Sequence, residues 1–356
     1  MKKFKKKLPK KIKHLQHKIP FKKGKLEDDN PLRITNETVA EHREKVLGRA
    51  RKYIYPLQHS KHKIVLISSS LFVVAVVGFF TYCTLALYKF KSSSDFLYGV
   101  TQVIPFPVAK AGSRFVSYEN YLFELRHYMH YYETQQKLNF DDNLGKQQLE
   151  DYKKRALEKV INDAYVKQLA DKNNVSVSNQ ELDTQIALMR SQNRLGANEK
   201  GFEDVLRDNF GWTVNDFRRE LKTQMLAQEV VAALDTPTNE RAQTAYAEIQ
   251  AGADFAAIVQ KYSDQESTKA SGGDYGFLID RSSRDVPAQV TEALFKLEAG
   301  QVSQIINTGF SLEIVKNLEI QGEKRRAAHV SFNFRDISTY VNELRDTSRP
   351  RSYISL

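Results

Sequence analysis

The sequence predicts an α+β protein with one membrane-crossing helix, a helical domain and a domain built on a small antiparallel sheet. Three patterns support this prediction. Residues 64–88 contain no charged side chain, residues 117–234 have a helical pattern, and residues 252–334 combine glycine-marked turns with strand-like alternation. At 356 residues the chain is long enough for two or three domains.

The uncharged segment Ile64–Tyr88 is the predicted membrane helix. Its 25 residues would cross a hydrocarbon core about 30 Å thick at about 1.5 Å per residue. A buried core helix and a cleaved signal peptide are the alternatives, but a signal peptide would lie nearer the start of the chain. Residues 1–63 carry 20 Lys or Arg against 6 Asp or Glu. This basic excess predicts a single-pass protein of the cell membrane, with a cytoplasmic N-terminus and extracytoplasmic domains after Lys89.

The basic tail, residues 1–63, is expected to be largely disordered. Its run 2–25 is polybasic and poor in apolar residues, so charge repulsion opposes a packed fold. A topology signal and contact with RNA are two interpretations, and our hypothesis is contact with anionic lipid headgroups. No sequence-reading nucleic-acid motif is present. Residues 35–52 have the pattern of a short helix, with Thr35 as a candidate cap.

The only cysteine, Cys83, lies inside the predicted membrane helix. No intramolecular disulfide can form, and zinc sites built from cysteines are excluded. The domains outside the membrane must therefore be stabilised by ordinary apolar cores. Residues 89–113 are rich in Ser, Pro and Gly and predict a linker, with one candidate strand at Gly99–Ile104.

Residues 114–235 predict a helical domain. Two long helices are expected over Ser117–Leu138 and Lys146–Lys172, from their apolar spacing. The segment Ser178-Asn-Gln-Glu181 is a capping box that opens a third helix. A last helix, Thr213–Leu234, closes the set.

The most informative stretch is GADFAAIVQKYSDQESTKASGGDYG at Gly252–Gly276. An apolar helix face leads to a Tyr-Ser pair, a short polar loop, and a double glycine followed by Asp274. The glycines permit a tight turn back into an extended segment. This pattern resembles the rotamase domain of the parvulin family (PpiC-like) of peptidyl-prolyl isomerases, and the resemblance covers residues 238–318.

The segment before it resembles the N-terminal chaperone region of SurA- and PrsA-like foldases. The matching residues are Val175-Ser176-Val177-Ser178 ahead of Glu181-Leu182-Asp183, then Phe202-Glu203, and Trp212-Thr213 ahead of Phe217-Arg218-Glu220-Leu221. In that family these helices form a lobe that cradles unfolded polypeptide, so the resemblance implies a chaperone role. The alternative is a structural spacer. Tyrosines are dense on the first helix and could contact clients or pack the lobe.

The parvulin resemblance also implies a site. Family members hold proline in an apolar pocket beside two histidines and an acidic or cysteine residue. The pocket positions here carry Phe295, Phe310 and Tyr275. In the polar cluster Glu313 replaces one histidine, and Gln265 stands where Asp or Cys is expected, with Asp264 one residue earlier. These departures leave the isomerase activity less certain than the fold.

The family's first strand has no match before the first helix of this domain, where Pro237 suits a helix start. A match lies instead after the last strand, at Arg326–Phe332, where apolar and polar residues alternate. We therefore expect a circularly permuted sheet in which His329 faces Glu313 and Gln265. The alternative is that Arg326 begins a second rotamase domain. The rotamase domain is accordingly placed at residues 236–340, with a C-terminal tail at 341–356.

Together these patterns predict a membrane-anchored extracytoplasmic foldase that binds unfolded or exported polypeptides and isomerises X-Pro bonds. The alternative is a non-catalytic holdase that keeps the parvulin fold but lacks isomerase activity. A third interpretation is an envelope scaffold in which the basic tail is the functional part. No cofactor, metal or nucleotide motif is visible. The pair His127 and His130 is by itself too small for a metal site.

Overall fold

The fold is mostly helical with two small antiparallel sheets. The computed structural model describes residues 35–54, 57–192, 195 and 198–356. The helices are α1 (Asn36–Ile54), α2 (Leu57–Thr84), α3 (Asp95–Val103), α4 (Tyr118–Gln135), α5 (Asn143–Lys172), α6 (Asn179–Ser191), α7 (Glu199–Val205), α8 (Val214–Leu234), α9 (Thr236–Gln250), α10 (Phe255–Tyr262), α11 (Glu266–Lys269), α12 (Ala288–Leu294) and α13 (Ile337–Thr347). The strands are β1 (Pro107–Ala111), β2 (Arg114–Ser117), β3 (Ile306–Asn307), β4 (Ser311–Gln321), β5 (Lys324–Asn333) and β6 (Arg351–Ser352).

Helix α1 confirms the short helix predicted over residues 35–52. The Thr35 and Thr38 side chains exchange hydrogen bonds with each other's backbone at its start, and Glu37 in the first turn complements the helix dipole. The polybasic run 2–25, with its hypothesis of lipid contact, lies outside the described residues.

Helix α2 continues into a π-helical turn at Leu85–Lys89. Over Lys63–Lys89 the chain is long and apolar enough to cross a membrane, and it is the one such helix in the part of the chain that the structure describes. No residue of its most apolar 18-residue stretch is buried. Length and composition thus fit a membrane anchor, whereas the orientation stays a prediction.

The helical domain is built around α4, α5 and α8. Long apolar and aromatic side chains form its core, among them Tyr118, Tyr121, Leu125, Tyr165 and Val230. The capping boxes at Ser178 and Thr213 are both formed, which confirms the predicted starts of α6 and α8. The predicted long helices are confirmed as α4 and α5, with ends shifted by up to three residues.

The prediction of a linker over residues 89–113 is wrong. They contain α3 and β1, and their side chains Leu97, Val108 and Ala109 are buried in the core of the helical domain. The candidate strand at Gly99–Ile104 falls mostly within α3. Small residues made this segment resemble a linker, but small side chains also suit the close packing of β1 under α5.

The C-terminal residues 341–356 likewise belong to the helical domain. Val341 and Ile354 are buried in its core, and the strand β6 pairs antiparallel with β1. The Tyr165 hydroxyl donates a hydrogen bond to the Ser348 carbonyl. The chain end therefore returns to the domain that precedes the rotamase-type domain, which the sequence prediction of a tail missed.

The second sheet has the order β3-β4-β5. Strands β4 and β5 form a long antiparallel hairpin in which Glu313 lies opposite Ser331, and Val315 opposite His329. The segment after the double glycine bridges the other edge of β5, at Asp274–Ala328 and Ile279–Arg325. Strand β5 is therefore internal, between β4 and the 274–279 segment.

Each face of this sheet carries its own apolar core. On one face Leu312, Ile314, Val330 and Phe332 pack against α9 and α10. On the other, Val315 and Ala327 pack against α12 and Ile279. Because side chains alternate between faces along a strand, Glu313 and His329 share this second face. Their positions are diagonal across the hairpin, within reach of long side chains.

Candidate functional site

A buried carboxyl–imidazole pair forms the centre of the candidate site. The His329 Nδ1 atom lies 2.7 Å from Glu313 Oε2. Both residues are 5% exposed. Glu313 comes from β4 and His329 from β5, as the alternation in the sequence predicted. The prediction that His329 faces Glu313 therefore agrees with the geometry.

Three hydroxyl groups complete the hydrogen bonds of this pair. Ser311 Oγ and Ser331 Oγ donate to Glu313 Oε1 at 3.0 and 2.8 Å. Since Glu313 accepts from Nδ1, a neutral imidazole carries its proton on Nδ1 and has Nε2 as an acceptor. Thr268 Oγ1 lies 3.1 Å from that nitrogen. Thr268 is half-buried, so it connects the buried pair to the protein surface.

Tyr275 covers the imidazole. Its ring stacks on the ring of His329 with centroids 4.2 Å apart and planes 21° apart. The Tyr275 hydroxyl is buried and has no hydrogen-bond partner among the residues that the structure describes. Burial, and secondarily the nearby Glu313 carboxyl, raise the pKa of this phenol above its usual range. The hydroxyl therefore remains protonated.

The double-glycine turn brings the 268–275 loop against β5. The His329 amide donates to the Gly273 carbonyl at 2.9 Å. Gly273 has φ +88°, and a Cβ atom there would lie 2.4 Å from the His329 carbonyl oxygen. Glycine is required at this position because of both the backbone conformation and the close approach.

Gly273→Ala is expected to destabilise the domain and to displace His329. The matched control is Gly276→Ala, at φ +80° with open space around the added Cβ. The control should cost about 1–2 kcal/mol from backbone strain. Gly273→Ala should cost roughly 2 kcal/mol more, because the clash adds to the strain. Thermal unfolding of the two variants, followed by circular dichroism, measures the difference; equal losses would contradict the close approach.

The two loop residues proposed for the polar cluster lie elsewhere. Asp264 forms an ion pair with Arg241 at 2.7 Å and accepts the Asn333 amide at 2.9 Å. The exposed Gln265 side chain donates to Ser267 Oγ. The structure therefore places neither side chain on the His329–Glu313 pair. Asp264 ties the loop to the C-terminal end of β5. Thr268, and not Gln265, is the loop residue whose side chain contacts His329.

The predicted proline-binding residues are also separated. The Phe295 ring lies under the guanidinium groups of Arg281 and Arg325, whose carbon atoms are 4.6 and 4.9 Å from its centroid. Phe310 is 68% exposed at the start of β4. Only Tyr275 of the three lies in ring contact with His329 among the described residues.

Phe310 lines a cleft between the helical and rotamase-type domains. The cleft has a volume of about 400 Å³. Helices α6 and α8 contribute Met189, Leu221 and Gln228, and the opposite wall contains Pro287 and Ser311. Since Ser311 is bonded to Glu313, the hydrogen-bond network of the buried pair extends to the wall of this cleft.

Most tyrosines of α4 pack within the helical domain. Tyr118 and Tyr121 are fully buried, and Tyr131 is the most exposed of the group. His127 lies in an aromatic cluster with Phe210 and Trp212. His130 contacts the Asp208 carbonyl through Nε2. These side chains have structural partners, so they add no ligand site to the candidate centre.

Thr268, Ser311 and Ser331 are the site residues that the sequence prediction missed. Two of them had a detectable signal. Ser311 precedes Glu313 by two residues and Ser331 follows His329 by two, so strand alternation places all four on one face. Thr268 had none, because its position depends on how the loop folds back over β5.

Comparison with known proteins assigns the two domains. Residues 57–231 match the family model described as SurA-like N-terminal domain, and residues 224–319 match the model described as PPIC-type PPIASE domain. The chain thus carries a SurA-like N-terminal domain followed by a PPIC-type rotamase domain. The prediction of a peptidyl-prolyl cis-trans isomerase is confirmed at the level of the domain family.

Individual relatives are foldases and isomerases by name. A chaperone SurA of Albidiferax ferrireducens is 34% identical over 103 residues, 26% of this chain and 22% of that protein. A foldase protein PrsA of Caldanaerobacter subterraneus is 25% identical over 190 residues, 49% of this chain and 60% of that protein. A putative peptidyl-prolyl cis-trans isomerase, YacD of Bacillus subtilis, is 25% identical over 210 residues, which are 53% of this chain and 69% of that protein. The chain spans less than two thirds of the first two relatives.

Proposed function

We propose that this protein is a membrane-anchored extracytoplasmic foldase that binds unfolded polypeptides and isomerises X-Pro bonds. The observation that carries the proposal is the buried Glu313–His329 pair, capped by Tyr275 and connected to the surface through Thr268. Glu313 lies within the segment that matches the PPIC-type domain, His329 lies ten residues beyond its end, and the preceding segment is SurA-like.

The chemistry requires no nucleophile. Rotation about the X-Pro bond crosses a barrier of about 18–20 kcal/mol because the C–N bond has partial double-bond character. A site lowers this barrier by binding the twisted amide more tightly than the planar one. Donors that are fixed before the substrate arrives are well suited to this task, since they need no reorganisation during the reaction.

In this site His329 and Glu313 act as positioning residues. Both are almost completely buried, so a peptide reaches little of either side chain. The imidazole fixes the orientation of the Thr268 hydroxyl, and Glu313 fixes that of Ser311. We assign contact with the prolyl peptide to the half-buried Thr268 and Tyr275. The Tyr275 hydroxyl, which is buried and has no partner among the described residues, would have to become exposed as the peptide binds. Phe277 beside Tyr275, with ring centroids 5.8 Å apart, extends the aromatic surface.

The cleft beside Ser311 is the proposed path of the client chain. Its walls combine the apolar side chains Met189, Leu221 and Phe310 with the amides of Gln224 and Gln228. Apolar side chains give sequence-tolerant contact, and amides can pair with an extended backbone. A client in the cleft would contact both domains, which would deliver its prolines to the rotamase-type domain.

We further propose that β5 takes the place of the family's first strand, in a circularly permuted sheet. Three features support this proposal. The rotamase match ends at residue 319, before β5 begins. Helix α9 follows α8 directly, with only Asp235 between them, so no strand stands immediately before it, and Pro237 lies in its first turn. Strand β5 is internal to the sheet and supplies His329.

The anchor and its orientation complete the proposal. Helix α2 with its π-helical extension would cross the membrane, and the basic excess of residues 1–63 would keep them in the cytoplasm. Contact of the basic tail with anionic lipid headgroups remains part of the proposal.

One comparison separates the foldase from a holdase without isomerase activity. The near-complete burial of Glu313 and His329 favours the holdase as the second candidate, because a buried pair can be purely structural. The full chain in detergent micelles is assayed for cis-trans exchange of a proline peptide and for suppression of client aggregation. Accelerated exchange supports the foldase; suppressed aggregation with uncatalysed exchange supports the holdase.

Tyr275→Phe tests the proposed donor. In a purely structural site, removal of a buried, unpaired hydroxyl should leave stability unchanged or raise it. If the hydroxyl binds the substrate, the variant should keep its melting temperature and lose roughly tenfold in kcat/KM, about 1.4 kcal/mol. Unchanged kcat/KM would remove Tyr275 from the proposed mechanism.

A further inference from the structure

Helix α3 presents a largely exposed apolar face. Phe96 is 57% exposed and Val103 is 83% exposed. With the exposed Gly99 between them, they follow the i, i+3, i+7 spacing of one helix face. The opposite face, with Leu97 and Thr101, is buried in the helical domain. The exposed face therefore contributes nothing to the core of its own domain.

This face lies beside the chain that leads out of the apolar helix. The Phe96 ring is 6.4 Å from the ring of Tyr82, measured between centroids. One residue later, Cys83 is fully buried in the core of the helical domain, and so is Leu87. The Tyr118 hydroxyl donates to the Leu87 carbonyl at 2.5 Å. The folded domain thus begins at Cys83 and encloses the last turns of the apolar segment.

The enclosed turns shorten the part of the segment that lipid can surround. From Ile64 to Tyr82 the helix rises about 28 Å at about 1.5 Å per residue. This length matches a hydrocarbon core about 30 Å thick. The membrane boundary therefore falls near Tyr82, six residues earlier than the sequence pattern alone suggested. Aromatic residues lie close to this level, as expected at a bilayer interface: Phe79, Phe80 and Tyr82 on the helix and Phe96 on α3.

We propose that α3 lies in the headgroup region of the same bilayer, with Phe96 and Val103 inserted among the lipids. This inference rests on the proposed membrane anchor. The occupant of the apolar face is the lipid surface, because α3 contacts the helix at the level where that helix would leave the bilayer. Lys89 and Lys91, which flank Phe90, can reach lipid phosphates. Two attachments, α2 and α3, would hold the helical domain in one orientation against the membrane.

Quenching by brominated lipid tests this placement in the full chain. Single cysteines are introduced by Val73→Cys, Val103→Cys and Glu323→Cys and labelled with a fluorophore. Native Cys83 is fully buried, and wild-type protein labelled in parallel measures its contribution. Each protein is reconstituted into phosphatidylcholine vesicles with and without bromine on the acyl chains. Glu323, exposed in the β4–β5 turn, is the control for a site away from lipid.

The expected result is loss of fluorescence in brominated vesicles at positions 73 and 103, with none at 323. Quenching at 73 without quenching at 103 would overturn the placement of α3 and leave the anchor intact. Absence of quenching at 73 would overturn the anchor itself. A blue-shifted emission at 103 that bromine does not quench would show that protein, such as a second copy of this chain, covers the face, and would also overturn the proposal.

Discussion

A chain that ends after Gly322 is expected to lose cooperative folding. The truncation removes β5, whose Ala327, Ala328, Val330 and Phe332 are buried in the cores on both faces of the sheet. It also removes α13 and β6, which pack on the helical domain. The remaining strand β4 would expose an unpaired edge and apolar side chains on both faces. Thermal unfolding followed by circular dichroism is the measurement, and an unchanged melting curve would refute the role given to the C-terminal segment.

A point substitution gives a graded version of this test. Phe332→Ala should destabilise the rotamase-type domain by about 3–5 kcal/mol, because Phe332 is fully buried and the cavity cannot fully collapse. Leu318→Ala, on the partly exposed end of β4, is the control. Its expected cost is within about 0.5 kcal/mol, as at other surface positions. Similar losses for both variants would indicate that β5 is not a core strand.

Substitution of the buried pair is expected to have the largest effect on catalysis. His329→Ala removes the acceptor of the Thr268 hydroxyl and the stacking partner of Tyr275. The loss of one oriented donor should reduce kcat/KM for a proline peptide by roughly 10- to 100-fold, about 1.4–2.8 kcal/mol. Glu313→Gln should give a comparable loss, because the two carboxylate oxygens together face three donors and one of these oxygens becomes an NH₂ group.

The matched controls for the buried pair come from the loop that the sequence predicted to be catalytic. Gln265→Ala is expected to leave kcat/KM unchanged, since its exposed side chain bonds to Ser267 and not to the pair. Thr268→Val is expected to reproduce much of the His329→Ala loss while leaving the imidazole in place. A loss in Gln265→Ala as large as that in His329→Ala would contradict the proposed arrangement.

The parts of this fold that the sequence predicted correctly depend on local patterns. The capping boxes at Ser178 and Thr213 mark helix starts by residue type alone. The alternation around Glu313 and His329, with the turn at Gly322, was enough to predict that the two side chains share a face. The register of the β4–β5 hairpin depends on residues close together in the sequence. The contact between Glu313 and His329 could therefore be predicted, whereas the contacts made by the 268–275 loop could not.

The parts that the sequence missed depend on contacts between distant residues. Residues 89–113 resembled a linker because nothing local shows that β1 pairs with β6, more than 200 residues away. Asp264 is one residue from the expected catalytic position, yet its carboxylate forms an ion pair with Arg241 on α9 and does not contact the Glu313–His329 pair. Phe310 is directed to the cleft by its place at the start of β4. The first two errors thus concern partners that are distant in the sequence, and the third concerns the position of Phe310 at the start of a strand.

The most direct test of the proposed site is the imidazole resonance of His329 during titration with a proline peptide. The chain has eight histidines, and His329→Ala identifies the signal by its loss from the spectrum of histidine-labelled protein. A peptide that binds at Thr268 and Tyr275 should shift this resonance and leave that of His42, on α1, unchanged. A peptide that undergoes catalysed exchange while the His329 resonance stays in place would contradict the account.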